Sequence, residues 1–150
     1  MSEHINKSHN KTLLLYHLVF PAKYRRKVFS DEVEKTLRRV CSEIEDGHEI
    51  NFIEIGSDED HVHFLIQSVP SMPVARIVTT IKSITARAIF QENPEVKKLL
   101  WGGNLWTSGY YANTVGQYTS ENVIREYVHN QGKKYRKIYR GQLTLFGGLV

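Results

Sequence analysis

A chain of 150 residues with a single cysteine is long enough to bury one core without disulfides and is expected to form one domain. Cys41 excludes an internal bridge and a cysteine-based zinc site, so a buried, inert thiol in a reducing cytoplasm is the expected state. The polar stretch Met1 to Lys11 argues against a secretory signal, no apolar run approaches the roughly 20 residues of a membrane span, and the net charge of +4 favours a polyanionic partner without requiring one.

Taken in order, Thr12 to Phe20 is rich in Leu, Val and aromatics and reads as a strand closed by Pro21. Lys23-Tyr24-Arg25-Arg26-Lys27 follows, a basic cluster with an aromatic inside it. Ser30 can cap a helix running to about Asp46, with Asp31, Glu32 and Glu34 in its first turn and Val33, Leu37, Val40, Cys41 and Ile44 at helical spacing. Gly47 ends it. Ile50 to Ile55 and Val62 to Val69 read as strands joined by the polar turn Asp58-Glu59-Asp60, hence as a hairpin.

A second helix is expected from about Pro73, with Val74, Ile77, Val78, Ile81, Ile84 and Ala88 on its buried face and Pro94 as its limit. The aromatic-rich stretch Leu105 to Asn113 reads as a fourth strand. A last helix, capped by Ser120, is expected over Glu121 to Gln131, before Gly132 and the basic tail Lys133-Lys134-Tyr135-Arg136-Lys137. The order βαββαβ followed by α predicts an α+β, ferredoxin-like split βαβ domain: an antiparallel sheet with two helices on one face and an added C-terminal helix. The other sheet face then awaits a cover.

Two constellations carry chemistry. Side chains alternate across a strand, so His61 and His63 share one face while Val62, Phe64 and Ile66 take the other. Two imidazoles at that spacing can bind one metal ion, although a histidine pair alone is also compatible with a structural role. On the last helix Tyr127 and Gln131 are four apart and share a face, which makes Tyr127 a candidate nucleophile and Gln131 a candidate oxygen ligand. His129 should point elsewhere. A divalent cation on the non-bridging oxygens lowers the barrier to attack on a phosphodiester, and Mg2+ and Mn2+ both suit two imidazoles and an amide.

A phenol with a reference pKa near 10 needs roughly 4 kcal/mol to ionise at pH 7, so a nucleophilic tyrosine needs help. The ester it forms conserves the energy of the broken bond for rejoining. The basic residues Lys23, Arg25, Arg26, Lys27, Lys133, Lys134 and Arg136 can neutralise phosphates while Tyr24 offers a stacking face, the pattern of single-strand binding. The same residues also suit a solvated surface.

These segments resemble the single-tyrosine HUH transposases of the TnpA type, encoded by small insertion sequences that move as single-stranded DNA. The resemblance runs through Tyr16-His17-Leu18-Val19-Phe20, Lys23 to Phe29, Asp60-His61-Val62-His63, Leu105-Trp106, Gly109-Tyr110-Tyr111, Thr114-Val115-Gly116 and Tyr127-Val128-His129-Asn130-Gln131. It implies His61, His63 and Gln131 as metal ligands and Tyr127 as the residue joined to the 5′-phosphate of cut DNA. It also implies hairpin-bearing single-stranded DNA as the substrate, and a homodimer in which one subunit's tyrosine helix can serve the other's histidines. Domesticated relatives acting on repeated palindromes fit the same motifs. A replication-initiator or relaxase nickase would usually carry a third histidine and further domains. A non-catalytic sheet-face binder using Trp106, Tyr110 and Tyr111 for stacking would need neither the histidine pair nor the tyrosine.

Overall fold

The computed structural model describes residues 14–100, 103–116, 136–140, 144–145 and 148–149. Leu14–Pro21 forms β1, which a short 3-10 turn at Lys23–Arg25 links to helix α1, Asp31–Gly47. Ser30 caps α1 as its sequence suggests: the backbone N–H of Val33 donates to Ser30 Oγ at 3.3 Å, and three acidic residues sit in the first turn against the positive end of the helix. The hairpin of β2, Ile50–Ser57, and β3, His61–Ser68, leads into α2, Val74–Glu92. Asn93 then breaks the helix, and Pro94 opens a separate short helix, α3, Pro94–Leu99, so this proline starts an element as well as bounding one.

The sheet is antiparallel in the order β4-β1-β3-β2-β5, where β4 is Tyr111–Gly116 and β5 is Arg136–Arg140. The four strands β4-β1-β3-β2 and the two long helices form the ferredoxin-like split βαβ expected from the element order. A two-stranded ribbon, β6 at Thr144–Leu145 and β7 at Gly148–Leu149, completes the described elements. Phe20, Phe52, Phe64 and Ile66 from the sheet pack with Leu37, Val40, Ile44, Ile77, Ile81 and Ile89 from α1 and α2 into one buried cluster. On the opposite face Leu15 and Leu65 are buried as well, and Asn51 Nδ2 donates to Gln67 Oε1 at 3.1 Å, so much of that face is covered within the chain itself.

Two expectations are corrected. The fourth strand begins at Tyr111, not Leu105: Trp106 makes only an isolated bridge to Ala22, because its indole is drawn into the core against Phe20 and Phe29 and its N–H donates to Thr85 Oγ1 at 3.1 Å. Lys82 Nζ, on α2, donates to the carbonyls of Thr107 and Gly109 at 2.8 and 2.9 Å, which ties this segment to the helix. The basic tail is also not all tail, since Arg136–Arg140 pairs with β2 through Arg136↔Ser57 and Lys137↔Gly56. Charged edge strands are common because charge discourages pairing with another chain. The expected helix Glu121 to Gln131, with Ser120, Tyr127 and Gln131, lies outside the described residues, as do Lys133 and Lys134. Cys41 is buried, and burial together with the nearby Glu45 pushes its thiol well above the usual range, which keeps it inert. Among the described residues no helix is long and apolar enough to cross a membrane.

Candidate metal and nucleic-acid site

The site is built at the end of the sheet where β1 finishes and β3 begins. Backbone register sets Val19 against His63 and Pro21 against His61, and His17 against Leu65. Residues directly opposed in an antiparallel pair share a face, and the next residue but one on the partner strand lies diagonally within reach. His17, His61 and His63 therefore occupy one face, opposite the buried Val62, Phe64 and Ile66. The alternation read from the sequence holds, and the first strand contributes a third imidazole that periodicity did not single out.

The rings are linked in series. His61 Nε2 and His63 Nε2 face each other at 3.1 Å. On the outer side, His61 Nδ1 lies 2.7 Å from Asp60 Oδ1, while on the inner side His63 Nδ1 lies 3.2 Å from His17 Nε2. The His17 and His63 rings are close to parallel, with centroids 5.3 Å apart and an interplanar angle of 20°. Tyr111 meets His17 edge-on with centroids 6.3 Å apart. Asp58 Oδ2 adds a carboxylate 3.3 Å from His61 Nε2, so the surroundings of the pair are more acidic than two imidazoles and an amide alone would be.

The donor chemistry fits a divalent cation. Two nitrogens 3.1 Å apart can each lie about 2.1 Å from one ion, and in both rings the remaining nitrogen already has a hydrogen-bonding partner that can fix the tautomer. Among the described residues no group of three or more His, Cys, Asp or Glu side chains has metal-holding geometry. A further ligand of another type, such as the amide expected of Gln131, falls outside the described residues.

The basic segment lies at the same end. Tyr24, Arg25, Arg26 and Lys27 are exposed and Lys23 is half-buried. Tyr24 and Arg25 hold φ values of 58° and 53°, a left-handed conformation that costs about 1–3 kcal/mol per residue and is maintained only where the surroundings over-determine it. Here those surroundings are visible: Ala22 N–H donates to Asp60 O and Lys23 N–H to Leu105 O, both at 2.8 Å, while Arg25 Nε donates to Asp60 Oδ2 at 3.1 Å. Asp60 thus joins the basic turn to His61 through its two oxygens. The His61 hydrogen bond, followed by that of Arg25, holds its carboxyl below the ordinary range despite some opposing desolvation. The Tyr24 ring is 62% exposed, available as a stacking face.

Of the aromatics considered for stacking, Trp106 is 5% exposed and belongs to the core, whereas Tyr110 and Tyr111 are exposed. Lys82, absent from the sequence-based candidates, stands over the Tyr110 ring at 5.5 Å as it gathers the Thr107 and Gly109 carbonyls, and burial lowers its pKa. At the far edge, the register of β5 brings the backbone of Arg136 to Ser57, whose own partner on β3 is Val62. The start of β5 therefore lies at the same end of the sheet as the histidines.

A family model described as "Transposase IS200 like" matches residues 10–131. The chain is 34% identical to the ISDra2 transposase TnpA of Deinococcus radiodurans over 121 residues, covering 81% of this chain and 86% of that protein. It is 25% identical over 131 residues to the Salmonella typhimurium transposase for insertion sequence element IS200, covering 87% of this chain and 85% of the relative. The crystal structure of a candidate transposase from Deinococcus radiodurans R1 superposes with a TM-score of 0.67 at 31% identity, covering 83% of this chain and 95% of that one. A tyrosine transposase bound to a REP hairpin superposes with a TM-score of 0.53 at 13% identity, covering 85% and 71% respectively, a likeness of fold alone.

Proposed function

We propose that this chain, which belongs to the IS200-like transposase family, cleaves and rejoins single-stranded DNA at the ends of an insertion sequence, using Tyr127 as nucleophile beside a divalent cation held by His61, His63 and Gln131. The observation that carries the proposal is the facing pair of Nε2 atoms, 3.1 Å apart, next to an exposed turn of cations and one tyrosine. The curated relatives act, by their names, in insertion-sequence transposition, and a protein of the same fold is bound to a REP hairpin. Mg2+ or Mn2+ bound at the pair would neutralise charge on the scissile phosphate.

The chain's own residues supply the rest. Tyr127 Oη gives up its proton and attacks phosphorus, a P–Oη bond forms, the P–O3′ bond breaks, and the departing oxygen takes up a proton to leave a free 3′-hydroxyl. The 5′-phosphate stays esterified to the tyrosine until another 3′-hydroxyl attacks in the reverse sense, which needs no ATP. Lys23, Arg25, Arg26 and Lys27, with Lys133, Lys134 and Arg136, would hold backbone phosphates of a hairpin-bearing strand, and Tyr24 would stack on an unpaired base. A homodimer would bring two such ends together, with the tyrosine helix of one subunit able to serve the histidines of the other.

Incubation of the full chain with single-stranded end DNA and Mn2+ tests the reading. Wild type should yield a protein-DNA adduct that survives denaturant, and Tyr127→Phe none; an adduct in the Phe variant would remove Tyr127 from the mechanism. The role of the basic turn has its own readout. Replacing Arg25 and Arg26 together by alanine should weaken hairpin binding and reduce the slope of log K against log salt by about one to two, the release expected from one or two lost phosphate contacts. An unchanged slope would show that neither arginine touches phosphate.

A further inference from the structure

We propose that His17 is a positioning residue for the metal pair: when a cation takes the lone pair of His63 Nε2, His17 Nε2 accepts the Nδ1–H of His63 and so holds that ring in the cation-binding tautomer. The proposal rests on the reading of His61 and His63 as metal ligands, and it assigns a task to an imidazole on a different strand from the pair.

For both facing Nε2 atoms to offer lone pairs to one ion, each ring must carry its proton on Nδ1. His61 has the partner this requires, since Asp60 Oδ1 lies 2.7 Å from its Nδ1 and a carboxylate oxygen can only accept. At His63 the atom 3.2 Å from Nδ1 is His17 Nε2. Without a cation the 3.1 Å contact between the facing Nε2 atoms needs a proton on one of them. If His63 is the donor, its Nδ1 accepts from His17. Metal binding then reverses the His17–His63 hydrogen bond, and His17 can take either part because an imidazole offers one donor and one acceptor nitrogen.

The geometry suits this role. His17 is the diagonal neighbour of His63, directly opposed to Leu65, with its ring 20° from the plane of the His63 ring. It is half-buried, so water competes less for the bond than at an open surface, and Tyr111 covers one edge. An aromatic of similar size could reproduce the packing. Only a side chain with an acceptor atom could reproduce the hydrogen bond.

That difference supplies the test, read as Mn2+ affinity by electron paramagnetic resonance titration of the full chain, without DNA. His17→Phe keeps a ring and removes the acceptor; it should weaken Mn2+ binding by about 10- to 100-fold, the usual consequence of losing the partner of a ligating histidine. His17→Gln, which retains an acceptor oxygen, should recover most of that loss. Thermal unfolding in chelator and hairpin binding in chelator should stay near wild type for both. Equal Mn2+ affinity in wild type and His17→Phe would overturn the role of His17 while leaving the metal pair standing, and Gln no better than Phe would show that the acceptor is not the acting feature. Failure of the wild-type chain to take up Mn2+ would overturn the metal pair itself, and this proposal with it.

Discussion

Replacing His63 by alanine is expected to reduce cleavage of single-stranded end DNA by at least about 10^3-fold while hairpin binding in chelator stays within a few-fold of wild type. A cation at a phosphate contributes several kcal/mol to stabilising the transition state, and each 1.4 kcal/mol is tenfold in rate. His63 is the middle ring of the series, bonded to His61 through Nε2 and to His17 through Nδ1, so its removal leaves His61 as a single imidazole beside Asp58 and Asp60. His61→Ala should fall to the same floor, as should wild type in excess EDTA, because all three interventions would empty the proposed metal site. Binding should survive because the proposed phosphate contacts of the Lys23 to Lys27 turn do not need the metal. A 5′-labelled oligonucleotide followed on a denaturing gel measures cleavage, and a mobility shift in EDTA measures binding. Cleavage within tenfold of wild type would refute the metal pair, whereas joint loss of binding and cleavage would show that the histidines hold the DNA or the fold.

How much of this site could be read in advance follows from which forces are local. The alternation of His61, Val62, His63, Phe64 is a property of a single strand, and both the buried and the half-buried face came out where period two places them. The cap at Ser30 and the apolar stripe of α1 are equally local. His17 is different: its place beside His63 depends on strand register across 46 positions of sequence, which no hydrophobic period encodes. Asp60 was legible as a turn residue but not as the bridge between Arg25 and His61, for the same reason. Trp106 misled through its composition, because an aromatic that looks suited to a strand was claimed by the core and by Thr85. The charged run at Arg136–Arg140 concealed an edge strand, since polarity at an edge is tolerated on both sides.

Phe64→Ala is expected to destabilise the fold by about 3–5 kcal/mol, a large share of the roughly 5–15 kcal/mol available to a domain. Phe64 is fully buried on the strand that carries the histidines, with Phe20 and Phe52 at ring-centroid distances of 5.1 and 5.8 Å. Truncation leaves a void bounded by two aromatics anchored in separate strands, so collapse can fill little of it. Urea unfolding analysed by linear extrapolation gives the loss directly, and Phe64→Leu should cost markedly less because it retains most of the filling volume. The cleavage defect of this variant should also differ in kind from that of His63→Ala. Phe64 points away from the imidazoles, so its loss should lower activity mainly by raising the unfolded fraction, and an excluded osmolyte such as trimethylamine N-oxide should restore much of it. The same osmolyte should do nothing for His63→Ala, whose fold is expected to be intact. If osmolyte rescues the histidine variant and not the phenylalanine variant, the division of β3 into a chemical face and a packing face is wrong.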